Sequence, residues 1–187
     1  TDTSEWMYVY DGNSVDSTNY FSGADSLAVH YHNQPEQPRA KLAHRNGNFV
    51  GTQHYYHITG ELSEKRPFKH GVKHGPQFRY DASGNWRLRT DYRYGNMDGY
   101  STATYPNGQP RFKGGVQYGG WHGSMTFYDV EGRKTSSGTH YKDERHGPWT
   151  YYNDGGEAIG TLIYAYGKIW RAICPFDSSQ NITLSQD

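Results

Sequence analysis

Polar and apolar side chains alternate along the longer runs of this chain. In Asn85–Tyr94 (NWRLRTDYRY), the side chains of Trp86, Leu88 and Tyr92 are separated by polar ones. A period of two is typical of a β-strand that packs one face and exposes the other. Shorter runs such as 76–81 come before it, and glycine-containing segments between the runs indicate turns. No stretch shows the 3.6-residue period of an amphipathic helix, so we predict strands joined by turns.

This pattern returns every 24 residues. The glycines that serve as the anchor of each repeat are Gly51, Gly75, Gly99, Gly123 and Gly147. A second glycine follows each anchor by nine residues, and a third precedes it by four, except that Asp143 stands there in the last of these repeats. A tyrosine follows each anchor by five residues, replaced by Thr104 in one repeat. We write positions as +n, counted from the anchor of the repeat.

Each repeat holds two predicted strands and two turns, which together make a β-hairpin. Weaker copies anchored at Thr3 and Leu27 bring the number to about seven, and Arg171 anchors the beginning of a further one. A lone hairpin is marginal, so the hairpins should stack side by side. We therefore predict an all-β fold, an elongated single-layer antiparallel sheet of about seven stacked 24-residue β-hairpin repeats. The array with its C-terminal cap should fill residues 1–176, and residues 177–187 should form a flexible tail.

The repeat resembles a known family. The segments 69–85 (KHGVKHGPQFRYDASGN) and 141–156 (YKDERHGPWTYYNDGG) are similar to MORN repeats, and most of all to the bacterial variant of that repeat. The resemblance covers nearly the whole chain and is weakest in the first two repeats. It implies an elongated single-layer sheet. Because bacterial proteins of this class resemble antitoxins and immunity proteins, it also implies a partner protein, while the family name suggests membrane association.

The amino-acid composition reduces the number of functional classes that fit this chain. Only 33% of the residues are hydrophobic, so 18 Tyr, 7 Phe and 5 Trp should bury most of the apolar area. The formal net charge is zero, which makes nucleic acid an unexpected partner. One cysteine, Cys174, excludes an internal disulfide and a cysteine-cluster metal site. No run approaches the roughly 18 apolar residues of a membrane span.

The basic residues are concentrated in the middle of the chain. The first 38 residues contain neither Lys nor Arg. Positions +11, +13 and +17 are mostly apolar, with Trp86 at +11 and Tyr92 at +17, and should face the packed side, so even positions should face the other. Ten of the 19 basic residues occupy the even positions +12, +14 and +18 of the longer strand, namely Arg39, Lys41, Arg45, Lys65, Lys69, Arg87, Arg89, Arg93, Arg111 and Lys113. Same-position residues lie two strand spacings apart, so the sequence predicts a basic strip about 30–40 Å long.

Two interpretations of this strip remain open. In the first, the basic side chains pair with carboxylates on neighbouring strands, for which Glu61, Glu64 and Asp91 are candidates. Such cross-strand pairs contribute only about 0.2–1 kcal/mol each. In the second, the strip attracts an acidic protein surface or anionic lipid headgroups. Three carboxylates do not neutralise ten cations, which favours the second interpretation.

Ten histidines raise the question of a metal site. His74, His122 and His146 each precede an anchor and should lie about 10 Å apart or farther, whereas ligands lie about 2 Å from their ion, so we expect structural roles. His30 and His32 share one strand face and form a conceivable zinc pair without an evident third ligand. No nucleophile, phosphate-binding or metalloprotease motif appears. We therefore expect neither an enzyme nor a bound metal or cofactor.

The last predicted strand leaves an open edge that terminal residues should cover. Ile169, Trp170, Ile173 and Cys174 are the candidates, and we expect Cys174 to be packed there rather than to act as a reactive thiol. The chain begins at Thr1 without methionine, which suggests removal of an export segment. That would place the protein in the periplasm, with the cytoplasm as the alternative.

The favoured function is a non-enzymatic protein-binding module, an immunity or antitoxin protein that occludes a cognate toxin or secreted effector. The alternative is a MORN-type scaffold that binds anionic phospholipid membranes. Buried aromatic and arginine side chains dominate such interfaces. The residues predicted to contact the partner are Lys41, Lys65, Lys69, Trp86, Arg87, Arg89, Tyr92, Arg93, Arg111 and Lys113.

Overall fold

The computed structural model describes residues 7–9, 26–31, 38–174 and 182–183. The chain divides into two compact units, Thr1–Asn96 (unit 1) and Met97–Asp187 (unit 2), and every regular element within the described residues is a β-strand. The strands of unit 1 are β1 (Met7–Val9), β2 (Ser26–Tyr31), β3 (Pro38–Arg45), β4 (Asn48–Phe49), β5 (Gly51–Tyr56), β6 (Leu62–Lys69), β7 (Val72–Lys73), β8 (Gly75–Tyr80) and β9 (Trp86–Arg93). The strands assigned to unit 2 are β10 (Asn96–Thr104), β11 (Pro110–Gln117), β12 (Gly120–Tyr128), β13 (Lys134–Tyr141), β14 (Glu144–Tyr152), β15 (Ala158–Ala165), β16 (Lys168–Ile173) and β17 (Ile182–Thr183).

Paired strands run antiparallel within each unit, and the register repeats with the sequence. Position +13 of one repeat lies opposite +4 of the next: Glu64 opposite Arg79 in unit 1, and Phe112 opposite Phe127 in unit 2. The 24-residue period of the sequence is therefore also the period of the structure. The predicted fold, all-β with one layer of antiparallel hairpin repeats, is confirmed within each unit.

Two-residue turns lead from one repeat into the next. Both residues of each turn have positive φ, the geometry of a type I′ turn, whose twist suits the flanking strands. The second residue is the glycine four places before the anchor, which adopts positive φ without steric cost, and Asp143 takes that place with a φ of 69°. The first residues of these turns are Asn46, His70, Tyr94, Tyr118, Lys142 and Tyr166.

A different loop joins the two strands inside each repeat. The Gly84 N–H donates to the Asp81 carbonyl at 3.0 Å, and the Asp81 N–H donates to the Asn85 carbonyl at 2.9 Å. The Asp81 carboxylate accepts two further backbone N–H groups of the loop. Asp129 and Asn153 occupy the same position, +6, and make the same bonds. An Asp or Asn at +6 thus fixes the loop through an Asx turn.

The largest fully buried side chains stand at position +2, a row that strand alternation did not single out. Gln53 and Trp149 are 0% exposed. The Gln53 amide accepts from the Ala43 N–H at 2.6 Å and donates to the Ala43 carbonyl at 3.1 Å. Trp149 Nε1 donates to the Thr139 carbonyl at 2.9 Å. Ala43 and Thr139 both lie at +16, where the ladder is interrupted, so the +2 side chain satisfies backbone groups there.

Aromatic side chains form most of the core of unit 2, as the composition predicts. Its buried residues are Met125, Trp149 and Tyr164, against which Phe112, Trp121, Phe127, Tyr151 and Leu162 pack. Glycine at +15 provides the room, because a Cβ at Gly114 would overlap Met125 and a Cβ at Gly138 would overlap the Trp149 ring. The sheet thus gains a core without a second layer of strands.

The C-terminal end differs from the expectation. Ile169 and Trp170 are 37% and 45% exposed, Cys174 is exposed, and only Ile173 of the predicted cap is half-buried. The prediction of a packed Cys174 is therefore wrong. Ile182–Thr183, in the segment predicted to be a flexible tail, forms β17 and pairs with β16. Backbone pairing covers part of the edge that the sequence assigned to side chains.

Candidate binding surface

In unit 1 the even positions of the longer strands share one side of the sheet, as predicted. Lys41 lies opposite His54, which in turn lies opposite Lys65, and Arg89 lies opposite Phe78. We call this side of unit 1 the basic face. The predicted contact residues that it carries are Lys41, Lys65, Lys69, Arg87, Arg89 and Arg93. On the corresponding face of unit 2, Arg111 and Lys113 are both exposed.

The two predicted aromatic contacts lie on opposite sides of the sheet. Arg79 is opposite Leu88 but Tyr80 is opposite Trp86, so Arg87 is the extra residue of a β-bulge. The bulge reverses the alternation and brings Trp86, 40% exposed, onto the basic face instead of the packed side. Tyr92 remains on the opposite side. The side predicted for position +11 is therefore wrong for Trp86.

Lysines of the basic face lie over the tyrosine at +5 of the next repeat. Lys41 Nζ is 5.8 Å from the ring centroid of Tyr56, and Lys65 Nζ is 6.0 Å from that of Tyr80. In unit 2, Lys113 Nζ lies 5.9 Å from the Tyr128 ring. Such a contact contributes about 0.5–1 kcal/mol at an exposed site and restrains the flexible lysine. The tyrosines that mark the repeat thus also position its cations.

His54 lies between two of these lysines and is 7% exposed. Burial, followed by the charges of Lys65 and Lys41, lowers its pKa to about 4. Placing a proton on His54 would add a third cation to a row that already holds two. The imidazole is therefore neutral at physiological pH, and the charge of this row comes from the lysines.

Carboxylates engage two of the predicted arginines. Arg87 Nε donates to Asp81 Oδ2 at 2.7 Å, and Arg89 Nη2 lies 2.9 Å from Asp91 Oδ1. Asp91 thus pairs with a basic residue, but with one of its own strand, β9, and not across strands as predicted. Glu64, another predicted partner, instead faces the opposite side and pairs with other arginines. The role of Asp81 was not predicted, because Asp81 lies in a loop, where the alternation of a strand gives no information.

The remaining cations of the set are more open. Lys69 and Arg93 are exposed and stand at +18, the last position before a type I′ turn. Beside Arg93, Tyr94 is 75% exposed although its φ of 49° is unfavourable for a side chain with a Cβ. Exposed cations beside an exposed tyrosine form a surface suited to an acidic partner.

Unit 2 contains an open cavity of about 550 Å³. Its lining includes Phe112, Trp121 and Phe127 as well as Arg111 and His140. Burial lowers the pKa of His140, and a nearby arginine charge lowers it further. The cavity is chiefly aromatic and could receive an apolar side chain of a partner.

The histidines in front of the anchors contact tyrosine rings. The centroids of His74 and Tyr94 are 5.5 Å apart, and that of His146 is 5.2 Å from that of Tyr166. In the part of the chain that the structure describes, no group of three or more His, Cys, Asp or Glu could hold a metal ion. The side chains of the conceivable pair His30 and His32 lie outside the described residues.

No helix within the described ranges has the length and apolar character needed to cross a bilayer. No protein-family model and no curated protein matches the chain. One solved structure to which it is similar is described as "Crystal structure of GtfA/B complex bound to UDP and GlcNAc", with 14% identity and a TM-score of 0.28. The match covers 79% of this chain but only 27% of that one. A TM-score of 0.28 shows neither a shared fold nor a shared function.

Proposed function

We propose that this chain is a non-enzymatic protein-binding module of the MORN type, and that it neutralises a bacterial toxin or secreted effector by covering it. The observation that carries the proposal is the basic face of unit 1. There, Lys41 and Lys65 are held over tyrosine rings, and Lys69 and Arg93 are exposed at the ends of their strands. Preorganised cations and aromatic rings lower the entropy lost on binding.

An antitoxin of this kind needs a large surface rather than a pocket. A tight interface buries about 1,600 Å² in total, or roughly 800 Å² from each partner. Positively charged residues on such a surface speed the encounter with an acidic partner and set its orientation. The resemblance to the repeats of bacterial antitoxins and immunity proteins supports a toxin or secreted effector as the partner.

Co-purification tests this proposal. The product of the reading frame adjacent to this protein's own is co-expressed with the wild type, with Lys69→Glu/Arg93→Glu, and with Lys142→Glu/Lys168→Glu. Both double variants change four charge units at exposed residues in or next to type I′ turns. We expect the first to lose the complex and the second to retain it. Retention of the complex by both variants would place the interface elsewhere.

Binding to anionic phospholipid is the second candidate. It is favoured by Tyr94, an exposed aromatic residue next to the exposed Arg93, because tyrosine and basic residues are the side chains that anchor at membrane interfaces. Each Lys or Arg near such a surface contributes about 1 kcal/mol. Flotation with phosphatidylserine vesicles that salt releases would support this candidate, and no flotation at low salt would remove it.

A further inference from the structure

The face of unit 1 opposite the basic face holds a second group of charges. Glu64, Arg66, Lys73, Gln77 and Arg79 lie together there, and we call them the Glu64 cluster. The register explains the grouping: Glu64 is directly opposite Arg79, and Lys73 is opposite Phe68 at the packed position +17. In unit 2 the equivalent positions hold the aromatic core and one cation, Arg145, which lies at +22 like Lys73 and packs over the rings of Trp149 and Tyr164. Among the described residues, the grouping of several charges in this place is therefore specific to unit 1.

Two arginines and an amide converge on one carboxylate. Arg66 Nη2 lies 2.5 Å from Glu64 Oε2, and Arg79 Nε donates to Oε1 at 3.2 Å. The Gln77 side-chain N–H also donates to Oε1. Burial acts to raise the pKa of Glu64, but hydrogen bonds and attraction from Arg66 and Arg79 outweigh it and hold this pKa below its ordinary value. Glu64 is therefore ionised, and both of its carboxylate oxygens have partners within the cluster.

Lys73 adds a cation for which the cluster has no second carboxylate. Its Nζ lies 4.6 Å from the ring centroid of Tyr92. Burial lowers the pKa of Lys73, and the charges of Arg66 and Arg79 lower it further against the attraction of Glu64. Three cations therefore surround a single anion, and their mutual repulsion disfavours the charged state of the lysine.

Some hydrogen-bonding capacity of the cluster is also unused. Among the described residues, the buried Arg66 Nε and Gln77 Oε1 have no hydrogen-bond partner. The Arg79 side chain is 58% exposed and contacts Glu64 through Nε, so its two Nη groups take no part in this contact. An anion placed between Lys73 and these Nη groups would meet charged donors from both sides and reduce the repulsion.

We propose that the Glu64 cluster binds a carboxylate from an acidic residue of the partner protein, with Lys73 and the Arg79 Nη groups as its donors. A planar carboxylate matches the two Nη groups of a guanidinium. The site rests on the proposed function in one respect, that the carboxylate belongs to a protein. It lies on the side of the sheet away from the basic face, so the partner would contact both sides of unit 1.

A titration followed at Lys73 tests the site without the toxin. The Cε–Hε NMR signals of Lys73 are recorded while a capped hexaglutamate peptide is added, with capped hexaglutamine as the neutral control. We expect a saturable shift with hexaglutamate alone. Arg79→Gln should weaken this binding by about tenfold, the effect of losing one charge-assisted hydrogen bond. Lys69→Met, on the basic face, should change it by less than about twofold because that charge is screened.

Two results would overturn the site. The first is an unmoved Lys73 signal in the wild type when hexaglutamate has saturated the signals of the basic face, a result that depends on no variant folding. The second is a stronger response to inorganic phosphate than to hexaglutamate at equal ionic strength, which would assign the cluster to a free phosphate. Failure of co-purification would remove the proposed toxin partner and leave this titration unaffected.

Discussion

At the scale of single residues, the pKa of His54 reflects the electrostatics of the basic face. Its pKa of about 4 lies below the ordinary value of 6.5 because of burial and then the two flanking lysines. Between these values the unfolded chain binds a proton that the folded protein does not. Stability conferred by the neutral imidazole is therefore complete above pH 6.5 and is lost as the pH falls toward 4.

The substitution His54→Gln should remove this pH dependence. A shift of this size corresponds to about 3 kcal/mol of unfolding free energy lost by the wild type between pH 6.5 and 4. Urea unfolding at both pH values should show that the variant loses about 3 kcal/mol less than the wild type, and that Lys65→Met has a smaller effect in the same direction. An equal loss in His54→Gln and wild type would mean that His54 protonates freely in the folded state.

At the scale of strands and hairpins, the sheet depends on glycine facing a large side chain. Trp149 crosses over Gly138 and reaches the Thr139 carbonyl with its indole N–H. The close approach is possible only because Gly138 has no Cβ. Gly160 also lies in a strand, but there the nearest atom to an added Cβ is the Ile173 carbonyl oxygen at 3.6 Å, an ordinary contact.

The pair Gly138→Ala and Gly160→Ala tests this packing. The first variant should lose about 1–3 kcal/mol or more of unfolding free energy, because the added methyl must displace the buried Trp149 ring. The second should remain within about 0.5 kcal/mol of the wild type. Tryptophan fluorescence during thermal unfolding measures both. If Gly138→Ala unfolds at the wild-type temperature, Trp149 does not pack as described.

At the scale of the whole molecule, this is a repeat protein in which, within each unit, each hairpin pairs with its neighbours. Removal of residues 123–146, one full period, would join His122 to Gly147 and restore the sequence His–Gly found at both ends of the cut. Gly114, at +15 like Gly138, would then face Trp149. The strand order and the core packing are therefore expected to survive.

Unfolding experiments on two deletions test that expectation. The 24-residue deletion 123–146 should still unfold cooperatively, with a smaller urea m-value because less surface is exposed. The 12-residue deletion 123–134 removes half a period, reverses strand direction at the junction and should lose cooperative unfolding. If the two deletions behave alike, the 24-residue period is not the folding period.

The extent to which sequence predicted the structure differs with the feature. Strand class, repeat length and the side of Lys41, Lys65 and Arg89 follow from periodicity, because antiparallel strands preserve it. The side of the sheet on which Trp86 lies does not follow from periodicity, because a β-bulge adds one residue and reverses the alternation. The buried row that contains Gln53 was also missed, because a polar side chain that bonds interrupted backbone does not stand out as hydrophobic.

The candidate sites, like the fold, were predicted from the sequence only in part. The basic residues were found by counting, but their partners depend on three-dimensional contacts: Asp81 reaches Arg87 from a loop, and Glu64 turns to the other face. The Lys73 environment could not be predicted, because that residue lies in the two-residue strand β7, too short for alternation to indicate its face.

The most direct test of the central claim is lysine acetylation footprinting of the protein with and without its bound partner, read by mass spectrometry. The claim is that the basic face of unit 1 contacts the partner. Lys65 and Lys69 should become several-fold less reactive in the complex, while Lys142 and Lys168 in unit 2 should keep their reactivity. Unchanged reactivity of Lys65 and Lys69 in a saturated complex would contradict the account.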